Sequence, residues 1–179
     1  LGASSVISGV VPQISVIAGT CAGTAAMLAC SSDFVIMTKE SEFFMAPNSS
    51  SGSAEAAAKS GIASAVCDDD KAAIEKARDL VNILPVNNLA PVPMFEFAEN
   101  SPVSGTDLKS IINSAADADS EIEISAEFGN ASYTGFVTIG GATAGIAAAG
   151  KEGSKLNSDD CAKLARFMRT CDAFSIPVV

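Results

Sequence analysis

The sequence predicts an α/β fold, in which short buried strands alternate with helices. Two segments, Ile14–Ala18 and Asp33–Thr38, are short, apolar and bounded by proline, glycine or polar residues, as buried strands are. Two longer segments, Asp70–Leu84 and Ser158–Cys171, carry apolar residues at spacings of three and four, which is the helical period. Because the strands and helices follow each other along the chain, we expect helices packed on sheets.

The composition narrows the classes of protein to which the chain can belong. It has 179 residues, 48% of them hydrophobic, and a mean hydropathy of +0.33, so it can bury a sizeable core. A net charge of −10 and an isoelectric point near 4.3 disfavour nucleic-acid phosphate and anionic membrane surfaces as partners. The apolar segment Val6–Cys30 is too interrupted by polar residues, glycine and proline to span a bilayer.

The chain lacks histidine, which excludes several kinds of catalysis. It cannot use Ser-His-Asp or Cys-His catalysis or the usual zinc sites, so we predict neither a metal nor a side-chain nucleophile. Five cysteines without a C-x-x-C pair argue against a disulfide framework and indicate a reducing compartment, the cytoplasm. The first residues lack the basic segment of a signal peptide, and we expect a fragment or an excised domain.

The elements of the first half follow from short local patterns. Glu42–Ala46 is predicted as a strand, Asn48–Ser53 as a polar loop and Ala54–Lys59 as a short alanine-rich helix. Ile62–Cys67 is predicted as a further strand. The three acids Asp68–Asp70 are placed to cap the amphipathic helix that follows them.

Four prolines between positions 85 and 102 predict an extended linker with little regular structure. We place this linker at 85–104, between a first domain over 1–84 and a second over 105–179. The two domains are expected to fold on either side of it.

The second half is predicted to contain a hairpin between two helices. Thr106–Ala116 is the first helix, and Gly135–Gly141 and Thr143–Ala149 are two strands joined by a glycine turn. Their glycines do not fit the G-x-G-x-x-G spacing of a dinucleotide site. The last helix is expected to start at a Ser158 cap, and a new buried strand to start at Ile176. Its expected apolar face consists of Cys161, Leu164, Ala165, Met168 and Cys171.

The most informative segment is Val11–Ala26, in which the first strand passes through a glycine turn into a helix. Gly19 and Gly23 allow the backbone to turn tightly before that helix begins. The first N–H groups of a helix have no internal acceptor, so they can stabilise a thioester oxygen that becomes an enolate. The same junction can also be a packing device of an α/β fold.

Four segments, in the same order, resemble the carboxyltransferase component of biotin-dependent acyl-CoA carboxylases and the related acyl-CoA decarboxylases. The family's proline-led strand, Cys-Ala-Gly-Gly turn and next strand are similar to PQISVIAGTCAG and SSDFVIM. Its Ser-Gly-Val-Ala segment and a helix ending in Leu-Pro-x-Asn-Asn resemble AAAKSGIASAV and DDDKAAIEKARDLVNILPVNN. Its glycine-rich hairpin resembles TGFVTIGGATAGIAAA, and its Ala-Arg-Phe-x-Arg-x-Cys-Asp-Ala-Phe segment resembles CAKLARFMRTCDAFSIPVV. The resemblance covers nearly the whole chain but only the middle part of a family member.

The resemblance implies a crotonase-like fold of two partial, related halves, the first binding acyl-CoA and the second meeting biotin. The family's first oxyanion hole comes from a Gly-Gly pair that maps onto Gly23 and Thr24, the implied catalytic residues. The neighbouring Gly19, Ala22 and Ala46 match positions that bind the cofactor. A backbone N–H donates whatever its side chain is, so Thr24 can keep the donor, although its β-branched side chain restricts φ.

Some features of the family have no counterpart in this sequence. The Ser-Gly-Gly-Ala-Arg segment that helps to hold CoA precedes the position of Leu1, and the pair that holds the biotin carbonyl follows that of Val179. The segment after Pro47 is shortened, and family histidines near Ala57 and Ser64 are replaced. We therefore expect faces that are normally covered to be exposed, and the chain to be a homo-oligomer or a complementary subunit.

The implied function is carboxyl transfer between biotin on a carrier protein and an acyl-CoA of the acetyl, propionyl or methylmalonyl type. The implied partners are the acyl-CoA and a biotin carrier or biotin carboxylase component, with no nucleic acid and a membrane only indirectly. Two alternatives stay open. One is a truncated CoA-binding or structural module without turnover, and the other is an acyl-CoA decarboxylase subunit of a sodium-pumping complex.

Overall fold

The computed structural model describes residues 2–46, 52–100, 105, 107–150 and 154–179, and it confirms the α/β fold. Helices and strands are numbered in chain order. The helices are α1 (Gly2–Ile7), α2 (Thr24–Cys30), α3 (Ala54–Lys59), α4 (Asp70–Ile83), α5 (Leu108–Ala115) and α6 (Ser158–Ala173). The strands are β1 (Ile14–Ile17), β2 (Thr20–Ala22), β3 (Phe34–Thr38), β4 (Glu42–Phe44), β5 (Ala65–Cys67), β6 (Ile122–Glu123), β7 (Ser132–Ile139) and β8 (Ala142–Ala149).

The first sheet is parallel, in the order β1-β3-β5, with helices on both faces. All five residues of β3 are buried because it is the central strand. Phe34 and Ile36 pack towards α4, whereas Val35 and Met37 pack towards α2 and α3. Strand β1 was predicted as a buried strand, but it is not buried on both faces, because it lies at the edge of the sheet among the described strands and Val16 is 40% exposed.

A second, two-stranded parallel sheet pairs β2 with β4. Thr20 lies opposite Glu42 and Ala22 opposite Phe44. The sequence pattern did not predict β2, because three residues are too few to show a period of two. The expected direct passage from the first strand into a helix therefore contains one additional strand.

Helix α4 agrees closely with its sequence prediction. The side chain of Asp69 caps it by accepting a 2.8 Å hydrogen bond from the Ala72 N–H. Leu80 on its inner face is fully buried. Ile74 and Val81 belong to the apolar residues spaced three and four apart in this segment, but they are 50% and 64% exposed, so the buried stripe is narrower than the sequence indicates.

Over its described part, 85–100, the proline-rich segment has little regular structure, with a turn in which the Ala90 N–H donates to the Asn87 carbonyl at 3.2 Å. Met94 in this segment forms an isolated antiparallel β-bridge with Ala142. The Phe95 N–H also donates to the Gly141 carbonyl at 2.8 Å, so this segment lies against the tip of the β7–β8 hairpin.

The third sheet is antiparallel, in the order β6-β7-β8, and the predicted hairpin is confirmed. Gly140 and Gly141 form its turn with φ values of 59° and 82°, and a positive φ at both positions is what the type I′ hairpin turn requires. The buried carboxylate of Asp117 accepts from both of their N–H groups, at 2.9 and 2.7 Å, and from the Thr138 hydroxyl at 2.8 Å. Burial alone would raise the pKa of Asp117, but these hydrogen bonds lower it.

Helix α6 packs on β7 and β8, with a different cap and a different inner face from those predicted. Asn157, not Ser158, is the N-cap, and it forms a capping box with Asp160. Its buried residues are Asp160, Lys163, Phe167 and Cys171, whereas the predicted Cys161 and Met168 are exposed. The charged pair can be buried because loop and strand groups satisfy it. Asp160 accepts from the Ala131 N–H and the Ser132 hydroxyl, and Lys163 donates to the Gly129 and Ser132 carbonyls.

One hydrophobic cluster contains residues from both sides of the extended segment. Phe136 lies 5.8 Å from Phe34 and 5.0 Å from Phe167, measured between ring centroids. The Ser125 N–H also donates to the Ser64 carbonyl at 2.7 Å. The division into domains at 1–84 and 105–179 stays a prediction, and the two ranges share this core.

Candidate active site

The candidate site lies where β2 ends and α2 begins. Gly23 joins them with φ 57° and ψ −122°, the conformation of the first central residue of a type II′ turn. A Cβ placed on Gly23 would meet nothing within 4 Å. The position therefore requires glycine for its backbone conformation and not for space. Gly19 does not adopt a positive φ, so the tight turn depends on Gly23 alone of this pair.

The N–H groups at this junction divide into bonded and unbonded ones. The Gly23 N–H donates to the Phe44 carbonyl at 3.0 Å and so extends the β2–β4 ladder by one bond. The first bond of α2 runs from the Met27 N–H to the Gly23 carbonyl, also at 3.0 Å. Among the described residues, the N–H groups of Thr24, Ala25 and Ala26 have no acceptor, and of these three residues Ala26 is buried. The prediction that the Gly23 N–H is a free donor is therefore wrong, and the free donors begin at Thr24.

The other predicted residues are not all brought to this point. Ala22 lies at the end of β2 opposite Phe44, and Ala46 follows two residues after Phe44, so both lie at the carboxyl end of the strand pair. Gly19 lies at the opposite end, where its carbonyl accepts from the Glu42 N–H at 3.1 Å. Ala22 and Ala46 are exposed. The predicted loop Asn48–Ser53 falls largely outside the described residues.

The sequence analysis missed one part of the site. The Phe44 carbonyl could not be identified, because its contact with Gly23 depends on the pairing of two three-residue strands. The Ala25 N–H is one of the first N–H groups of the helix, which were expected to lack an internal acceptor, although Ala25 was not among the predicted catalytic residues. A cavity of about 430 Å³ borders β4 and is lined by Phe44, Glu42 and Lys39 among others, but not by Gly23 or Thr24.

Side chains near the junction supply little reactive chemistry. Burial raises the pKa of Cys21, and the neighbouring Cys30 raises it further, so Cys21 stays a neutral thiol and a poor nucleophile. The Thr20 hydroxyl donates to the Glu42 carboxylate at 3.2 Å. Within the described ranges, no group of three or more acidic or cysteine side chains is arranged to hold a metal ion. The chemistry available here is that of main-chain dipoles.

Comparison with known proteins identifies the family. A model described as "Carboxyl transferase domain" matches residues 1–179. The chain belongs to this family. None of the helices that the structure describes has the length and apolarity needed to cross a bilayer.

Two curated relatives and two solved structures illustrate the similarity. The propionyl-CoA carboxylase beta chain of Roseobacter denitrificans is 32% identical over 207 aligned positions, covering 96% of this chain and 40% of the relative. The methylmalonyl-CoA decarboxylase subunit alpha of Propionigenium modestum is 30% identical, covering 98% of this chain and 40% of that one. The alignment to the first is longer than this chain, so that relative carries residues that this chain lacks.

The first of the two structures is a transcarboxylase 12S with methylmalonyl-coenzyme A bound, described as a hexamer assembly. It matches with a TM-score of 0.89 and 30% identity, over 99% of this chain and 40% of its own. A single-chain long-chain acyl-CoA carboxylase matches with a TM-score of 0.82 at 20% identity, which supports the crotonase-like fold alone. The chain thus spans about 40% of the length of the relatives that it matches first.

Proposed function

We propose that this chain forms part of a carboxyltransferase that moves a carboxyl group to or from the α-carbon of an acyl-CoA. The observation that carries the proposal is the pair of unbonded N–H groups of Thr24 and Ala25 at the start of α2. They occur in a member of the carboxyl transferase domain family, and a relative of known structure is described with methylmalonyl-coenzyme A bound. Because the chain spans about 40% of those relatives, the complete reaction is proposed for an assembly.

In this proposal the thioester oxygen accepts hydrogen bonds from the Thr24 and Ala25 N–H groups. These donors lie at the positive end of a helix, so they favour the negative charge that develops as the thioester becomes an enolate. Gly23 is a positioning residue, because its own N–H bonds to Phe44 and its φ value directs the chain into α2. We place the CoA portion beside Ala22 and Ala46, with Gly19 at the far end of β2.

The donor set suits an acyl oxygen and needs no ionisable side chain. Biotin on a carrier protein would supply or take up the carboxyl group. No residue of this chain is assigned to hold biotin, because the family's biotin-carbonyl pair has no match in the sequence. A biotin carrier or biotin carboxylase component is therefore the proposed partner. The five free cysteines support a cytoplasmic location.

A matched pair of variants at position 24 tests the oxyanion role. Thr24→Pro removes the N–H, and proline is well tolerated at the first position of a helix, whereas Thr24→Ala keeps the N–H and removes only the side chain. Gly23→Pro is unsuitable, because proline cannot adopt a φ of 57°. Titration calorimetry of the 179-residue chain with propionyl-CoA and acetyl-CoA should show binding to the parent and to Thr24→Ala.

In an active assembly, Thr24→Pro should lower kcat by about 10² to 10³, the usual loss for one oxyanion donor, and Thr24→Ala by far less. Equal turnover of Thr24→Pro and the parent would refute the role. Thermal unfolding of both variants shows whether either has lost the fold.

A second candidate function is a module of the same family that binds CoA or supports an assembly without turnover. It is favoured by the engaged Gly23 N–H and by threonine at the second position of the family's Gly-Gly pair. The same calorimetry separates the two. Absence of heat with either acyl-CoA, together with an unchanged unfolding temperature, would favour a purely structural module.

A third candidate is the acyl-CoA decarboxylase direction, which the printed name of the Propionigenium modestum relative supports. The same main-chain donors would serve it, because an enolate forms in both directions. Release of carbon dioxide from methylmalonyl-CoA by the assembly, without carboxylation of propionyl-CoA, would identify this direction.

A further inference from the structure

A cavity of about 220 Å³ lies between the first sheet and helix α6. It borders the amino ends of β3 and β5, because Asp33 and Ser64, which directly precede these strands, both line it. Neither Gly23 nor Thr24 lines it. Ligands of open parallel sheets usually bind beyond the carboxyl ends of the strands, so this amino-end cavity is separate from the candidate active site.

The walls of the amino-end cavity come from both sides of the proline-rich segment. Asp33 and Ser64 come from the part of the chain before that segment, whereas Ser125 and Arg166 come from the part after it. The Ser125 N–H donates to the Ser64 carbonyl at 2.7 Å and so closes one side of the cavity. A ligand in this cavity would therefore contact both parts of the chain at once.

Two opposite charges line the cavity without forming an ion pair with each other. The Asp33 carboxylate accepts from the Gln13 N–H at 2.8 Å, and one N–H group of the Arg166 guanidinium donates to the Gly61 carbonyl at 3.3 Å. The ion pairs between described residues include neither Asp33 nor Arg166. Burial raises the pKa of Asp33 more than the Gln13 N–H and the Arg166 charge lower it, so this carboxylate lacks a close cation.

A third charged residue borders the cavity, but its charge is already satisfied. The Lys163 ammonium donates to the carbonyls of Gly129 and Ser132, at 3.4 and 3.0 Å, and it interacts with the Asp160 charge on the same helix. Asp33 and Arg166 are therefore the two charged groups of this cavity that a ligand can use.

A hydroxyl group and an apolar wall complete the lining. Ser64 is 6% exposed, and its Oγ accepts from the Val35 N–H at 3.2 Å, while its own O–H has no acceptor among the described residues. Phe34, Phe128 and Phe167 also line the cavity, and the first and last of these are buried. The cavity thus offers an anion, a cation, a hydroxyl donor and an apolar surface.

We propose that the amino-end cavity binds a small α-amino acid with an apolar side chain. The ligand carboxylate pairs with Arg166 and accepts from the Ser64 hydroxyl, and the ligand ammonium pairs with Asp33. The ligand side chain packs against the phenylalanines. The cavity has the volume of about seven water molecules at roughly 30 Å³ each, which suits such a molecule and is too small for a nucleotide.

The charges favour a zwitterion over a simple anion or a simple cation. An anion would meet the Asp33 carboxylate and the net charge of −10, and a cation would meet the Arg166 guanidinium. An amino acid is neutral as a whole and presents one charge to each group. The proposal does not depend on the proposed activity, because it concerns a different edge of the sheet.

Titration calorimetry of the 179-residue chain with L-valine, isobutylamine and isovalerate tests the proposal. The last two probes have the shape of valine but lack its carboxylate and its ammonium group, respectively. Valine should bind with a dissociation constant of about 1 mM or below, and each of the other probes at least about tenfold more weakly. Valine should also raise the unfolding temperature, since it binds only the folded chain.

Arg166→Gln and Asp33→Asn should each weaken valine binding by about tenfold or more, because each removes one of the two charges. Asn keeps an oxygen that can accept from the Gln13 N–H, and circular dichroism checks the fold of both variants. Arg169→Gln is the matched control, because Arg169 is an exposed arginine of α6 that does not line the cavity. Its affinity for valine should equal that of the parent.

Three results would overturn the proposal. The first is absence of both heat and thermal protection with valine at about 10 mM, tenfold above the expected dissociation constant. The second is isovalerate binding as tightly as valine, which would show a site for any small carboxylate. The third is an equal loss of valine affinity in Arg169→Gln and Arg166→Gln, which would show that binding does not take place in this cavity.

Discussion

The β1–β2–α2 segment is less tightly packed than the β7–β8–α6 unit. Strands β1 and β2 have four and three residues, whereas β7 and β8 have eight each. Val16 on β1 is 40% exposed, but Phe136 on β7 is fully buried between two other phenylalanines. Even the buried charges of α6 are satisfied, by the loop before β7 and by the first residue of β7. The candidate chemistry thus lies in the loosely packed region, because main-chain donors need a backbone conformation more than a tight core.

The largest expected difference between the two regions is in the free energy of unfolding that is lost when a side chain is shortened. Phe136→Ala should lower the free energy of unfolding by about 3–5 kcal/mol, because it removes a buried ring and leaves a cavity. Val16→Ala should cost less than about 1.5 kcal/mol, since part of that side chain already contacts water. Urea denaturation of both variants measures the difference. Similar losses would show that the edge strand is packed as tightly as the hairpin.

The next prediction concerns the backbone at the candidate site. Gly23→Ala should cost about 1–3 kcal/mol, because its φ of 57° and ψ of −122° are strained for any residue with a Cβ. Gly19→Ala is the matched control, since Gly19 has no positive φ and a Cβ there would meet nothing within 4 Å. It should be neutral or stabilising by up to about 1 kcal/mol. Equal destabilisation by the two substitutions would contradict the assigned role of Gly23.

A third prediction concerns acid stability in the α6 region. Burial alone would raise the pKa of Asp160, but hydrogen bonds from Asn157, Ser132 and Ala131, with the Lys163 charge, hold it below its usual value. A carboxyl group with a lowered pKa stabilises the folded state above its unfolded pKa, and this contribution is lost as pH falls through the folded pKa. The unfolding temperature should therefore fall on acidification below about pH 4.

The variant Asp160→Asn should be less stable at neutral pH and should show a weaker dependence on acid. Asp159→Asn, at the exposed neighbouring position, should keep the pH dependence of the parent. Identical pH profiles for Asp160→Asn and the parent would exclude Asp160 as the source.

The smallest effect compares cysteines of the two regions without any substitution. Burial raises the pKa of Cys171 to about 12, whereas Cys30 is exposed at the end of α2. Iodoacetamide should label Cys30 in the native protein and leave Cys171 unlabelled until the protein unfolds. Mass spectrometry of peptides identifies the labelled positions. Fast native labelling of Cys171 would show that α6 separates from the sheet.

Elements with strong local signals were predicted well from the sequence. The Gly140–Gly141 turn and the start of α4 depend on residues that are neighbours in the chain, so composition and spacing were enough. The inner face of α6 was predicted incorrectly, because the prediction assumed that only apolar side chains are buried. Charged side chains can also be buried when hydrogen bonds satisfy them. Lys163 and Asp160 are buried only because residues 129–132 lie against them.

The candidate site, too, was predicted only as far as neighbouring residues determine it. Gly23 and the small residues after it were enough to predict that a helix starts there. The first N–H groups of a helix lack an internal acceptor, so unbonded N–H groups could be predicted as well. Which of those groups stays free depends on Phe44, whose carbonyl accepts from the Gly23 N–H and leaves the N–H groups from Thr24 to Ala26 without an acceptor. Adjacent residues determine local conformational preferences, and the sequence shows these directly. The pairing of polar groups depends on segments that come into contact only when the chain has folded.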